Sequence, residues 1–123
     1  MNLTRAILLF VITVALAASP ALQAADTYAA IAYSPSSGKW GYGHGYPTKA
    51  EAIARATREC DRDDVKTNWC KNAWIALALS NKSRGGWGSA WGETRALARS
   101  KAKAECLSHN PDAYIAVSIP SAR

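Results

Sequence analysis

Nothing in this sequence spells a catalytic motif. There is no nucleophile elbow, no H-E-x-x-H and no P-loop. That excludes the common encodings of an activated serine, a helix-borne zinc protease site and a phosphate-cradling glycine loop. Histidine occurs twice, at His44 and His109, and cysteine three times. A structural zinc site wants four ligands in paired short spacings. Cys106-Leu107-Ser108-His109 is one such pair without a second, so no metal is expected. Nothing suggests a nucleotide or flavin site, so no cofactor is expected either. Basic side chains are spread along the chain rather than clustered, which argues against a nucleic-acid partner. No low-complexity linker divides the chain, so it is expected to form a single domain.

The two ends of the sequence differ in kind. Met1 to Arg5 is a short basic lead, Ala6 to Ala18 is an uncharged apolar run, and Ser19 to Ala25 is small and helix-breaking. This pattern reads as a signal peptide over residues 1–24, with cleavage after Ala24 or Ala25. The run is shorter than the ~20 residues a transmembrane helix needs, so no membrane span is expected in the mature chain. No cysteine follows the run, which disfavours a lipoprotein anchor. The expected location is the periplasm or the medium. Losing Arg5 and no acid leaves 14 of the 15 basic side chains against 9 acidic ones, a net charge of +5. In an oxidising compartment three cysteines form at most one internal bridge. The candidates are Cys60, Cys70 and Cys106, with no basis for choosing a pair.

What is present is a duplication. Shifted by 46 positions, residues 28–60 fall on 74–106. Ala30, Ala32 and Ser34 meet Ala76, Ala78 and Ser80. Thr48, Ala52 and Ala56 meet Thr94, Ala98 and Ala102, and Glu59-Cys60 meets Glu105-Cys106. Trp40-Gly41 meets Trp87-Gly88 with a one-residue slip, as a longer turn in the second copy would produce. The repeats span about 28–70 and 74–119.

Each copy reads as strand–strand–helix–strand. Tyr28–Ser34 is apolar and aromatic, and Pro35-Ser36-Ser37-Gly38 is a turn by composition. In Lys39–Tyr46, Trp40, Tyr42, His44 and Tyr46 alternate with Gly41, Gly43 and Gly45, a two-residue period that assigns rings to one face and glycines to the other. Glycine weakens a strand unless another backbone comes close. Thr48 with Glu51 is a capping box opening a helix whose buried stripe is Ala52, Ala56 and Cys60. An alanine stripe over a glycine strand gives close helix-on-sheet packing. In the second copy Trp87, Ser89 and Trp91 alternate with Gly88, Ala90 and Gly92, and Thr94 opens a helix with Ala98, Ala102 and Cys106 inside. The expected fold is α+β: a mostly antiparallel sheet of about six strands with two helices on one face.

The run Tyr-Ala-Ala-Ile-Ala-Tyr-Ser, the Trp-Gly-Tyr, the Thr-capped helix ending in Cys, Lys-Asn-Ala-x-x-Ala-Leu-Ala and Trp-Gly-x-x-Trp-Gly-x-Thr together resemble a bacterial secreted domain of unknown function, DUF4189. The resemblance covers nearly all of the mature chain. It implies a small exported, cysteine-bearing protein and no particular activity. It also implies a cysteine soon after each helix and one in the Lys-Asn-Ala-x segment. Asp64, Ala113 or a neighbour, and Trp74 stand there instead, so no disulfide pattern carries over.

The ligand-binding candidates are Trp40, Tyr42, His44, Tyr46, Trp87 and Trp91. Exposed on one sheet face they make a stacking platform; packed on each other they make a second core. The expected function is a small, non-catalytic binding domain. It would recognise a protein or a cell-envelope glycan, with an inhibitor or immunity-type partner of a secreted enzyme as one form of that role. The alternatives are a structural envelope protein and a small secreted hydrolase. Ribonuclease chemistry would require His44, His109 and a lysine to converge as base, acid and charge stabiliser.

Overall fold

The computed structural model describes residues 25–122. The signal segment expected over 1–24 therefore lies outside the described residues. The chain runs β1 (Tyr28–Tyr33), β2 (Trp40–Tyr46), α1 (Lys49–Cys60), β3 (Lys66–Lys71), β4 (Trp74–Leu79), β5 (Trp87–Gly92), α2 (Arg95–Leu107) and β6 (Tyr114–Pro120). The fold is α+β with a duplicated strand–strand–helix–strand unit, and every pairing is antiparallel.

The six strands divide between two three-stranded sheets, ordered β2-β1-β3 and β5-β4-β6, rather than joining in one. The residues of the two central strands explain this. On β1, Ala30 and Ala32 lie under α1 with Ala52, Ala56 and Cys60, while Ala29, Ile31 and Tyr33 face the other way. On β4, Ala76 and Ala78 lie under α2 with Ala98, Ala102 and Cys106, while Ile75, Leu77 and Leu79 face the other way. Each sheet thus has a small-residue face for its own helix and a large-residue face still to be buried. The two large faces bury each other, in a central cluster that also takes in Cys70 and Ile119. The order through the molecule is helix, sheet, sheet, helix. Ile31, Ile75 and Leu77 are fully buried there, each contributing roughly 1.5–3 kcal/mol of hydrophobic stabilisation.

The chain crosses between sheets at Asn72-Ala73. Asn72 adopts a left-handed conformation (φ 50°). Its backbone N–H donates to the Thr27 carbonyl at 2.9 Å and its side-chain oxygen accepts from the Thr27 N–H at 3.0 Å. The Ala73 N–H donates to the Ser121 hydroxyl at 3.0 Å, and the Ser121 N–H returns to the Ala73 carbonyl at 2.8 Å. These bonds tie the corner to both ends of the described chain.

Close helix packing is as the composition implies. A Cβ added at Gly41 would lie 2.6 Å from the Ala56 carbonyl oxygen, and one at Gly88 would lie 2.7 Å from that of Ala102. The slip between copies also has a structural cause. Ala32 pairs with Gly41 and Ala78 with Gly88, one residue later in the second copy. The extra turn residue is then cancelled by a bulge in β2 between the Ala30–Gly43 and Tyr28–Tyr46 pairs. Gly45 sits in this bulge with φ 74°, a conformation that glycine adopts without steric cost.

Candidate functional site

That bulge rearranges the aromatic row. Tyr28 and Tyr46 are direct cross-strand partners, and both pack on the helix-side cluster around Ala52 and Ala56. Tyr46 therefore leaves the face that Trp40, Tyr42 and His44 share. The strict alternation of the sequence holds only as far as His44, because one extra residue reverses the side-chain parity.

The remaining rings do not make one platform. Trp40, Tyr42 and Trp87 are half-buried against the inter-sheet cluster. The Trp87 ring lies 5.8 Å from that of Tyr33 in the facing sheet, and Trp40, Tyr42 and His44 follow one another at 6.3 and 5.9 Å. β2 lies against β6, where the Gly45 N–H donates to the Ser121 carbonyl at 2.7 Å. β5 lies against β3, where the Asn68 amide donates to the Ser89 hydroxyl at 3.1 Å. The two ring-bearing strands thus occupy opposite edges of the sandwich.

Each of these edges carries a concavity. Along β3 and β5, Asn68, Trp69, Cys70, Lys71 and Trp91 line a groove of about 320 Å³. Trp91 is 51 % exposed and Trp69 is 38 % exposed. The Lys49 ammonium stands 4.3 Å from the centre of the Trp69 ring, and that of Lys101 stands 5.8 Å from the centre of the Trp91 ring, within cation–π range. Lys71 pairs with Asp26 at 3.2 Å. Asn72 and Lys71 hold the Asp26 carboxyl below its ordinary value, and the pairing raises that of Lys71. Trp69 was not among the sequence candidates. Part of the signal was present: a core-facing Cys70 puts Trp69 on the helix side of the sheet beside Ala30, and it is exposed there because β3 is an edge strand.

At the β2 edge, Tyr42, Gly43, His44, Tyr46, Arg55 and Glu59 line a polar cleft of about 230 Å³. Arg55 and Glu59, one turn apart on α1, are paired at 3.4 Å. The Nδ1 atom of His44 is buried and has no hydrogen-bond partner among the described residues. His109 lies elsewhere, exposed beyond the C-terminal end of α2 on the other sheet's helix layer, and the cleft does not include it. The structure thus places the two histidines apart.

Each repeat also holds a carboxylate pin that the sequence reading passed over. Asp64 accepts from the Ser34 hydroxyl at 2.6 Å and from the Ser36 N–H at 2.9 Å. Asp112 accepts from the Ser80 hydroxyl, from the Asn81 N–H at 3.1 Å and from the Lys82 N–H at 3.2 Å. Each pin ties the hairpin turn of its repeat to the segment before the last strand. The Ser34 hydroxyl, aided by Ser36, pulls Asp64 down to about 2, and the Ser80 hydroxyl lowers Asp112.

The expectation of a disulfide is corrected. Cys60, Cys70 and Cys106 are all free and buried. They lie in three different apolar clusters, one under each helix and one between the sheets. The Cys60 thiol donates to the Lys39 carbonyl at 3.4 Å and the Cys106 thiol to that of Asp112 at 3.6 Å. Burial raises all three thiols, Cys70 to about 11. Among the described residues no group of three or more His, Cys, Asp or Glu side chains is placed to hold a metal ion. No described helix is long and apolar enough to cross a membrane.

Residues 28–119 match the family described as domain of unknown function DUF4189, and the chain belongs to that family. Protein Rv1269c of Mycobacterium tuberculosis and Protein Mb1300c of Mycobacterium bovis are each 44% identical to it over 61 residues, covering 50% of this chain and 48% of theirs. The chain thus spans about half the length of these curated relatives. No solved structure matches the chain.

Proposed function

We propose that this DUF4189 member is an exported, non-catalytic binding module that recognises a cell-envelope glycan through the Trp69–Trp91 groove. The observation that carries this is the pair of solvent-exposed tryptophans, 38 % and 51 % exposed, lining one concavity with Asn68 and Lys71. Indole faces stack on the C–H faces of sugar rings, while amide and ammonium groups bond hydroxyls. Trp40, Tyr42 and Trp87, by contrast, serve the inter-sheet core. Recognition of an extended protein segment is the second reading. It is favoured by β3 being an edge strand, which leaves one row of backbone groups able to pair with an added strand.

The reading is tested by co-sedimenting the purified protein with isolated cell-wall glycan, before and after protease treatment of the glycan. Trp91→Ala is expected to lose binding by about 2 kcal/mol or more, the range of interface hot spots. Its stability should change by less than ~0.5 kcal/mol, as for other surface substitutions. Binding that disappears with protease treatment assigns the protein-segment reading. Wild-type affinity in both Trp91→Ala and Trp69→Ala would remove the groove from consideration.

A further inference from the structure

The cleft at the β2 edge is built by the first repeat, and at the matching place the second repeat carries an exposed indole. The pairing registers and the 46-residue helix offset match its lining residues Tyr42, His44, Tyr46, Arg55 and Glu59 with Ser89, Trp91, Gly92, Lys101 and Glu105. In the second repeat an indole, that of Trp91, reaches toward the helix residue Lys101, whose ammonium stands 5.8 Å from the ring centre. In the first repeat the shorter imidazole of His44 and the guanidinium of Arg55 face a shared space of about 230 Å³. That is smaller than the ~300–1,000 Å³ typical of sites for drug-sized ligands, and it suits a single ring system. His44 contributes a second sign of unused capacity: its buried Nδ1 lacks a hydrogen-bond partner among the described residues. Native folds leave few such atoms, and each asks for an explanation.

We propose that this cleft is a receptor for one indole ring, presented by a tryptophan of a partner chain, after the pattern of the Trp91 indole beside Lys101 in the second repeat. Arg55 takes the place of Lys101 as the cation over the ring. The Tyr42 and Tyr46 rings supply the aromatic walls. Glu59, already paired with Arg55 at 3.4 Å, accepts the indole N–H, which is a donor only. The cleft shares no residue with the Trp69–Trp91 groove, so it stands whether or not that groove binds glycan.

The test titrates the purified protein with N-acetyl-L-tryptophanamide and follows the His44 and Arg55 side-chain signals by NMR. Saturable shifts at both residues are expected, with N-acetyl-L-leucinamide at least tenfold weaker. His44→Trp should place an indole of this chain in the cleft and abolish the shifts at Arg55 while the protein still melts cooperatively. Arg55 is exposed, so Arg55→Ala should fold normally and bind the probe at least tenfold more weakly, which keeps the test intact if His44→Trp does not fold. Equal affinity for the leucine and tryptophan probes overturns the proposal. So does an Arg55→Ala variant that binds as the wild type does, or the absence of saturable shifts up to the solubility limit of the probe.

Discussion

The two repeats solve one packing problem identically and a second one differently. In both, a Thr-capped helix lays an Ala-Ala-Cys stripe on two alanines of a central strand and on glycines of its hairpin partner. In both, an aspartate from the segment after the helix pins a serine at the start of the hairpin turn. They diverge at the outer hairpin strand. The first copy has a shorter turn, a glycine bulge and an imidazole; the second has a longer turn, no such bulge and an indole. Layers that bury backbone against backbone leave no room for change, because a single added carbon collides. The strand edge has room, and the copies have separated there.

The comparison predicts its largest effects where the copies meet. Ile31 and Leu77 are repeat mates within the central cluster. Replacing either with alanine should cost about 3 kcal/mol, within the 2–5 kcal/mol seen for buried aliphatic truncation. Chemical denaturation of both variants checks this. Costs differing by more than ~2 kcal/mol, beyond the scatter expected of equivalent sites, would break the equivalence of the two inner faces.

The helix contacts come next. Gly41→Ala and Gly88→Ala should each cost about 2 kcal/mol, as overpacking of a rigid site does. In each case the new methyl meets helix backbone rather than a flexible side chain. Thermal melts that show either variant unchanged would mean that the helix lifts freely off its sheet.

A smaller effect sharpens the comparison at the helix starts. Both Thr48 and Thr94 accept from the backbone N–H three residues on, at 3.2 Å. Only Thr48 also meets a Glu51 carboxylate, at 2.9 Å, since Leu97 stands at that place in the second copy. Alanine at either should cost about 1 kcal/mol. Thr48→Ala should cost a few tenths more, because it also removes the hydroxyl that donates to the Glu51 carboxylate. An equal loss at the two sites would assign the carboxylate no role.

The acid response is the last. The folded-state values of Asp64 and Asp112 are depressed, so their contribution is complete above the ordinary carboxylate value and is lost as pH falls through the folded one. For Asp64 the window runs from 3.8 down to about 2. Stability measured across that window should fall less steeply in Asp64→Asn than in the wild type, and Asp112→Asn should behave in the same direction. Parallel wild-type and variant curves would show that the pins do not titrate with folding.

Much of this was legible in the residues. Thr48, Thr94, the alanine stripes and the glycines under them announce helices lying close on hairpins, because capping and close approach are local demands. The one-residue slip between Trp40 and Trp87 announced the longer second turn. The reversal of Tyr46 was not legible: Gly41, Gly43 and Gly45 look alike in the chain, yet only Gly45 holds a bulge. Nor was the separation of the three thiols, since Cys70 differs from Cys60 and Cys106 in sequence only by lacking a mate. The face of Trp69 followed from Cys70 once the latter was known to point inward, but its exposure came from β3 lying at a sheet edge.

By itself the sequence determined the duplication, the element order and which face of each helix is buried, because these depend on spacing along one segment. The tertiary structure decided that six strands form two sheets. Both central strands carry large side chains on the face away from their helix, and those faces are buried only against each other. The same decision sent Trp40, Tyr42 and Trp87 into the space between sheets, left Trp69 and Trp91 at one edge, and left the His44 cleft at the other. Which ring is core and which is surface depends on what lies across the sandwich, and no local pattern of residues encodes that.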